Sequence, residues 1–198
     1  MSKVDDIIDS IDHHEMVLRE NFITKTLDKI VISISEIFNW IWVALLFVII
    51  GNVILRYAFS QGMIELEELQ WHLYAIGWLV GLSSTFILDG HVRVDVVHDK
   101  LKYKTKIILE LLGLLFLLLP FVNFVLYNSL SFVELSWITN ERSTSANGLP
   151  ARWAVKGFLL FSFILLDIAA CSRLIRIALS LKYGSPNQEN NANEGEKK

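Results

Sequence analysis

The histidines are the side chains of this sequence best suited to bind a haem or a metal ion, and their positions argue against both. A haem held between membrane helices needs two histidines at the same depth on facing helices. Only His72 lies inside an apolar stretch. His91 lies roughly 28 Å further along if that helix continues, and His98 follows it. We therefore expect no cofactor and no metal ligand.

Motifs that mark an enzyme's active site are missing from the sequence. There is no glycine-rich phosphate loop, no His-Glu-x-x-His pair and no nucleophile elbow. The single cysteine, Cys171, has no second cysteine for an intrachain disulfide and is interpreted as a small packing residue. A net charge of −3 without a concentrated basic face also excludes nucleic acid as a partner. We expect no catalytic and no substrate-binding residues.

The apolar composition indicates that membrane-spanning helices position the polar residues. Hydrophobic residues make up 53% of the 198 residues and the mean hydropathy is +0.45, whereas globular chains are about 45 to 50% apolar even when glycine is counted. Four apolar runs are long enough to cross a bilayer, at residues 37–55, 71–88, 111–133 and 154–171. The predicted fold is an all-α integral membrane protein with four transmembrane helices and amphipathic interfacial helices.

Polar segments flank the predicted four-helix domain, which covers residues 36–180. Residues 1–35 have apolar positions spaced for an amphipathic helix on the membrane surface, or for a helical lead-in to the first span. Because this polar stretch is long, we expect no cleaved signal peptide. Residues 184–198 are too polar to fold and are predicted to form a disordered cytoplasmic tail. Within the third span, Pro120 is expected to interrupt the helix.

Lysine and arginine are distributed unevenly among the predicted loops. They are frequent before the first span, between the second and third spans and after the fourth, and they are rare in the other two loops. Since the positive-inside rule places basic loops in the cytoplasm, we predict that both termini are cytoplasmic. The acidic start of the second span and the loop from Trp137 to Arg152 then face outward.

Polar and small residues near the outer half of the bundle are candidates for contact with another subunit. Gly77 and Gly81 form a Gly-x-x-x-Gly step that allows close helix approach, and Glu68 and His72 lie four residues apart on one face. The alternatives are packing within the chain's own bundle and solvated charges that complement a helix dipole. The subunit-interface candidates are Asn52, Arg56, Glu67, Glu68, Trp71, His72, Gly77 and Gly81.

A second group of polar residues is predicted at the cytoplasmic end. The segment after the second span resembles a short amphipathic helix whose lysines approach anionic lipid, so membrane lipids are an expected partner. Asp167 lies deeper in the fourth span than a loop charge should, and we hypothesise that it pairs with Arg93. The cytoplasmic-interface candidates are Asp89, His91, Arg93, Asp95 and Asp167.

Several short motifs, in this order across four spans, resemble a known family. They are Arg56-Tyr57-x-Phe59 after the first span, Glu67-Glu68-Leu69-Gln70-Trp71-His72 and His91-Val92-Arg93-Val94-Asp95 around the second, and Gly148-Leu149-Pro150 before the fourth. The sequence is similar over roughly residues 30 to 180 to the small, DctQ-like membrane subunit of tripartite ATP-independent periplasmic (TRAP) transporters.

The resemblance implies a bacterial inner-membrane subunit that pairs with a large multi-span transporter subunit holding the substrate and sodium sites. A periplasmic substrate-binding protein would deliver the ligand, usually an organic acid, and the small subunit would brace the large one. The Glu67–His72 motif and Leu118-Leu119-Pro120-Phe121 are most similar to the subgroup associated with 2-oxo acids and related carboxylates.

Two other functions remain open at this point. The chain could anchor a redox or signalling complex to the membrane through its polar N-terminal segment. It could also be a small self-sufficient transporter or channel, although the four spans show no internal repeat and only one proline break.

Overall fold

The computed structural model of the chain describes residues 18–90, 101, 103–145 and 148–184. Within these ranges all regular secondary structure is helical. Helix α1 is Phe22–Ala58, α2 is Ile64–Ile87 and α4 is Arg152–Tyr183, while α3 consists of Tyr103–Gly113, a π-helical turn Leu114–Leu118 and Leu119–Ile138 in direct succession. The predicted all-helical class is confirmed.

Three helices in the described part of the chain, α1, α3 and α4, are long and apolar enough to cross a membrane. Helix α2 has 24 residues and is not one of them. Its sequence includes Gly77, Gly81 and the run Ser83-Ser84-Thr85, which lower its hydropathy. Three of the four predicted spans therefore lie in helices of membrane-spanning length, and the span at residues 71–88 stays a prediction.

Helix α1 begins well before its apolar run. The Asn21 side chain accepts the Phe22 N–H at 2.7 Å, and the Asn21 N–H donates to Thr24 Oγ1 at 3.0 Å, which satisfies backbone groups at the helix start. Further buried positions at Asp28, Val31 and Ser35 follow the helical period. The described part of the predicted N-terminal segment therefore leads into the same helix as the first span.

The expected interruption of the third span takes the form of the π-helical turn Leu114–Leu118, which ends two residues before Pro120. Proline lacks an N–H, and its ring would clash with the carbonyl of Phe116, four residues earlier, in a regular α-helix. A wider π turn accommodates such a break without ending the helix. Helix α3 therefore continues to Ile138.

Helix α4 forms the centre of the bundle. In its most apolar window 44% of the residues are buried, against 11% in α1 and 17% in α3. Each group of buried apolar residues includes members of α4, which therefore packs against the other three helices. The groups are Leu18, Ile107, Leu114, Ala170 and Ile177; Val31, Ile76, Val80 and Leu165; and Val122, Phe163 and Leu166.

Serine hydroxyls connect the helices inside the bundle. Ser35 donates to the Val80 carbonyl at 3.5 Å, and Ser83 donates to the Ser162 carbonyl at 3.3 Å. These side chains are small enough to let helix backbones approach closely. The two contacts hold α2 between α1 and α4 and fix which residues lie at the same level.

Candidate functional site

Charged side chains from the helices and their ends meet around two arginines of α4. Arg173 donates from Nε to Glu110 Oε1 at 2.6 Å and from Nη2 to Asp89 Oδ1 at 3.3 Å. The Arg176 guanidinium lies 3.1 Å from Glu20 Oε1 and also contacts Asp28. We call this group the arginine cluster: Glu20, Asp28, Asp89, Glu110, Arg173 and Arg176.

The arginine cluster fixes the register of the helices at one end of the bundle. Arg173 and Asp28 are buried, and a buried charge is strongly destabilising when its partner is removed. The carboxylates come from α1, its lead-in, the end of α2 and α3, while both guanidiniums belong to α4. A helix that shifted along its axis would break at least one of these pairs.

The structure describes two of the five residues predicted at the cytoplasmic interface, and these two have different partners. Asp89 is a member of the arginine cluster. The Asp167 Oδ1 atom lies 3.5 Å from Nδ2 of Asn123 on α3. His91, Arg93 and Asp95 lie outside the described residues, so the pairing of Asp167 with Arg93 remains a prediction.

The Glu68 carboxylate binds the chain's own loop between α3 and α4. It accepts hydrogen bonds from the Ser143 hydroxyl and, at 2.6 Å, from the Leu149 N–H. These two bonds hold the pKa of Glu68 below its usual range because they stabilise the ionised carboxylate. A Cβ atom at Gly148 would lie 2.3 Å from the Ser143 Cβ, so the Gly-Leu-Pro motif needs its glycine for this turn.

A second carboxylate holds the same loop to the start of α4. Glu141 contacts the Lys156 amine and lies 3.5 Å from Nη1 of Arg152. The Lys156 hydrogen bond is the main reason that the pKa of Glu141 is lowered. Lys156 also lies 3.9 Å from the centroid of the Phe132 ring, a cation–π contact. We call Glu68, Glu141, Ser143, Leu149, Arg152 and Lys156 the loop cluster.

The turn between α1 and α2 lies at the end of α2 that carries Glu68. Arg56 donates from Nη2 to Glu67 Oε1 at 2.8 Å, an exposed pair of small energetic value. Trp71 is exposed and His72 is half-buried. Asn52 is buried, and its Oδ1 atom accepts no hydrogen bond within the described part of the chain. Asn52 is therefore a buried candidate whose Oδ1 atom is left without a hydrogen bond among the described residues.

The two glycines of the Gly-x-x-x-Gly step differ in their surroundings. A Cβ atom at Gly77 would lie 3.1 Å from the Trp42 ring, so this glycine serves packing between α1 and α2. A Cβ atom at Gly81 would meet no atom within 4 Å. Both glycines line a groove of about 510 Å³ together with Asn39, Trp42 and Thr85, but only at Gly81 is there open space for a methyl group.

A second cavity, of about 480 Å³, lies between α2, α3 and α4. Its lining is largely apolar and includes Leu82, Leu118 and Phe163, and Arg173 with its two carboxylates lies on its wall. The cavity therefore offers apolar contact, with polar groups that are already engaged with one another.

Sequence reasoning missed the mutual pairing in the arginine cluster. Asp28 and Glu20 were not candidates, and Arg173 and Arg176 counted only as basic residues after a span. Two signals in the sequence pointed to them. Asp28 falls on the same helical stripe as Val31, and the two arginines are three residues apart on one face of α4.

Contacts within the chain account for the carboxylates of the two clusters. No group of His, Cys, Asp and Glu side chains in this part of the chain is arranged to hold a metal ion. The carboxylates of both clusters are used to join helices and a loop. Large apolar side chains are exposed between the clusters on α1 and α3, among them Trp40, Phe47, Phe116 and Phe124.

Comparison with known protein families gives a match over residues 45–179, to the family described as tripartite ATP-independent periplasmic transporters, DctQ component. A search of curated proteins gave no match. The matched region covers more than half of the chain and contains the C-terminal part of α1 together with α2, α3 and most of α4. The chain therefore belongs to the DctQ family, the small permease component of TRAP transporters.

Proposed function

We propose that this chain is a non-catalytic subunit that braces the large transport subunit of a binding-protein-dependent, ion-gradient-driven importer of organic acids. Family membership makes it a component of a TRAP transporter and implies association with a large membrane subunit and a periplasmic binding protein. Its apolar helices support a multi-pass protein of the inner membrane. The bracing role and the substrate class are our proposal.

The observation that carries the proposal is the contrast between the ends of the bundle and the surface between them. At each end a cluster of charged groups is paired within the chain and joins the helices into a rigid unit. Between the ends, α1 and α3 expose large apolar residues such as Trp40 and Phe124. A rigid unit with a broad apolar surface is suited to widening the membrane footprint of a larger neighbour.

We further propose four spans with both termini in the cytoplasm. The rise of an α-helix separates Glu68 and Asp89 by about 31 Å, close to the ~30 Å hydrocarbon core, which supports α2 as a span. Contacts of Ser35 with Val80 and of Ser83 with Ser162 hold α2 alongside two helices of membrane-spanning length. The basic residues after α4 support the cytoplasmic side for the arginine cluster.

The substrate class rests on sequence resemblance. The Glu67–His72 motif and Leu118–Phe121 are similar to the subgroup that handles 2-oxo acids and related carboxylates. Both motifs have roles within this chain: Glu68 holds the loop and Pro120 follows the π turn. Substrate selection would therefore be the task of the binding protein and the large subunit.

Purification in a mild detergent tests the proposed function. Affinity-tagged chain expressed with its natural neighbours should recover a many-span membrane protein in a fixed ratio. Absorption spectra of the same sample should show no haem or flavin band. Recovery of a redox protein in place of a many-span protein would support the anchor function and contradict the proposal.

A further inference from the structure

Glu36 is an exposed carboxylate on the outward face of α1. In the part of the chain that the structure describes, its side chain makes no ion pair or hydrogen bond. Other carboxylates of the helices are different, because Asp28 and Glu110 bind arginines of α4 and Asp167 lies 3.5 Å from Asn123 Nδ2. Glu36 is therefore a charge without a counter-charge among the described residues.

The contacts of α1 place Glu36 between the two charged clusters. Its neighbour Ser35 donates to the Val80 carbonyl, so Glu36 lies level with the middle of α2. Along α1 it is about 12 Å from Asp28 of the arginine cluster. Val80 is about 18 Å from Glu68 of the loop cluster along α2.

Contacts between α1 and α4 independently place Glu36 between the two charged clusters. The Phe38 ring packs against Phe158 and Phe161, at centroid distances of 5.6 and 6.1 Å. Phe161 is about 18 Å along α4 from Arg173 and about 8 Å from Lys156. If the two clusters mark the two membrane surfaces, as proposed above, Glu36 lies well inside the hydrocarbon layer.

Asn39 is a second polar residue on this face of α1, about one helical turn after Glu36. It is three residues after Glu36 and therefore on the same side of α1. Its side chain is exposed and lines the groove that runs past Gly81 and Thr85 of α2. A carboxylate and an amide thus lie next to a groove that a neighbouring helix can enter.

Lipid chains alone would leave these two side chains unsatisfied. Charged and polar groups at membrane depth are costly unless they face protein or water and find partners there. The negative charge of Glu36 calls for a cation on the neighbour, whereas a two-fold contact of this face with a second copy of the chain would place a second Glu36 opposite the first. Charge complementarity therefore favours a different protein.

We propose that Glu36, Asn39 and the adjoining groove form the contact site for one transmembrane helix of the large transport subunit, and that this helix carries a lysine or arginine opposite Glu36. The inference rests on the proposed function and specifies which face of the chain meets the partner. It makes Glu36 an interface residue with no part in the chain's own folding.

Photo-crosslinking in the assembled complex tests whether this face of α1 contacts the large subunit. Benzoylphenylalanine would replace Trp40, which is 72% exposed and one turn from Glu36, or, as a matched control, Phe124, which is 66% exposed on α3. We expect the Trp40 position to crosslink to the large subunit and the Phe124 position to give no such crosslink. Crosslinking of the Trp40 position only to lipid, or to a second copy of this chain, would overturn the inference.

A pair of isosteric variants tests the charge. Glu36→Gln should reduce recovery of the large subunit about tenfold while leaving the Tm of the isolated chain unchanged. Glu134→Gln changes another exposed carboxylate, at the loop end of α3, and should leave recovery unchanged. A compensating basic-to-neutral change in the partner helix should restore recovery with Glu36→Gln.

The results also separate this inference from the proposed function. If the large subunit co-purifies and crosslinks through Phe124 and not Trp40, the bracing function stands and this contact site is wrong. If no many-span protein co-purifies with the unchanged chain, both are wrong. Equal recovery with Glu36→Gln and the unchanged chain would refute the counter-charge.

Discussion

Helices α4 and α1 differ in whether their charged side chains pair with other described residues of the chain. Helix α4 is the most buried helix, and Arg173, Arg176 and Lys156 each contact a carboxylate of the same chain. Helix α1 is mostly exposed in its apolar window, and its Glu36 has no such partner within the described residues. Charges on α4 therefore stabilise the chain itself, whereas the charge on the outer face of α1 points to another protein.

The largest effect is expected from Arg173. Replacing it with methionine keeps much of the side chain's volume but removes the cation that contacts Glu110 and Asp89 in a buried setting. We expect the chain to lose about 3 kcal/mol of stability. Thermal unfolding of the isolated chain in detergent measures this loss.

Arg152→Met is the matched control for that experiment. Arg152 is more exposed, and Lys156 also holds its partner Glu141, so the loss should be below about 1 kcal/mol. Equal destabilisation by the two variants would show that the arginine cluster has no special role in holding the helices.

The two glycines of α2 give a smaller and more selective effect. Gly77→Ala brings a methyl group to 3.1 Å from the Trp42 ring and should destabilise the isolated chain by about 1 to 2 kcal/mol. Gly81→Ala enters open space and should leave the isolated chain at least as stable, since alanine favours helix. Unfolding of both variants in detergent compares them.

Recovery of the large subunit adds a second measurement to the glycine pair. If the groove next to Gly81 receives a partner helix, Gly81→Ala should reduce co-purification although the isolated chain is intact. We assign Gly77 to packing between α1 and α2 and Gly81 to a partner contact. A loss of stability in Gly81→Ala, or an unchanged stability in Gly77→Ala, would contradict this assignment.

The smallest effect concerns the loop cluster and its pH dependence. Glu68 and Glu141 have pKa values below their ordinary value of 4.5, so their ionised forms stabilise the folded loop. That contribution is complete above pH 4.5 and is lost as the pH falls through the lowered values. Protease cleavage between residues 139 and 151 should therefore accelerate below pH 4.5.

Glu68→Gln should make the loop easier to cleave at neutral pH and should weaken the acceleration in acid. The change removes the carboxylate that accepts the Ser143 and Leu149 hydrogen bonds. Cleavage that is independent of both pH and this substitution would contradict the role of Glu68 in holding the loop.

Much of the fold follows from the sequence because apolar run length is a local property. The windows at 37–55 and 154–171 lie within α1 and α4, but both helices are longer. Their extra turns contain charged residues such as Asp28 and Arg176, which hydropathy excludes although they favour or tolerate helix. Pro120 predicted an interruption, and its π-helical form depends on packing in the bundle.

The candidate sites were harder to predict because they depend on which helices are neighbours. The sequence treats Gly77 and Gly81 alike, and only the position of Trp42 separates them. Asp28 and Arg176 are far apart in the chain and meet through helix register. Glu68 looked like a partner contact because the loop that engages it comes much later in the sequence.

Transport by the reconstituted system tests the central claim most directly. Proteoliposomes would contain the large subunit with the binding protein and an ion gradient, either with this chain or without it. We predict that organic-acid uptake requires both membrane subunits and that this chain alone gives no flux. Equal uptake by the large subunit without this chain, or uptake by this chain alone, would contradict a bracing role.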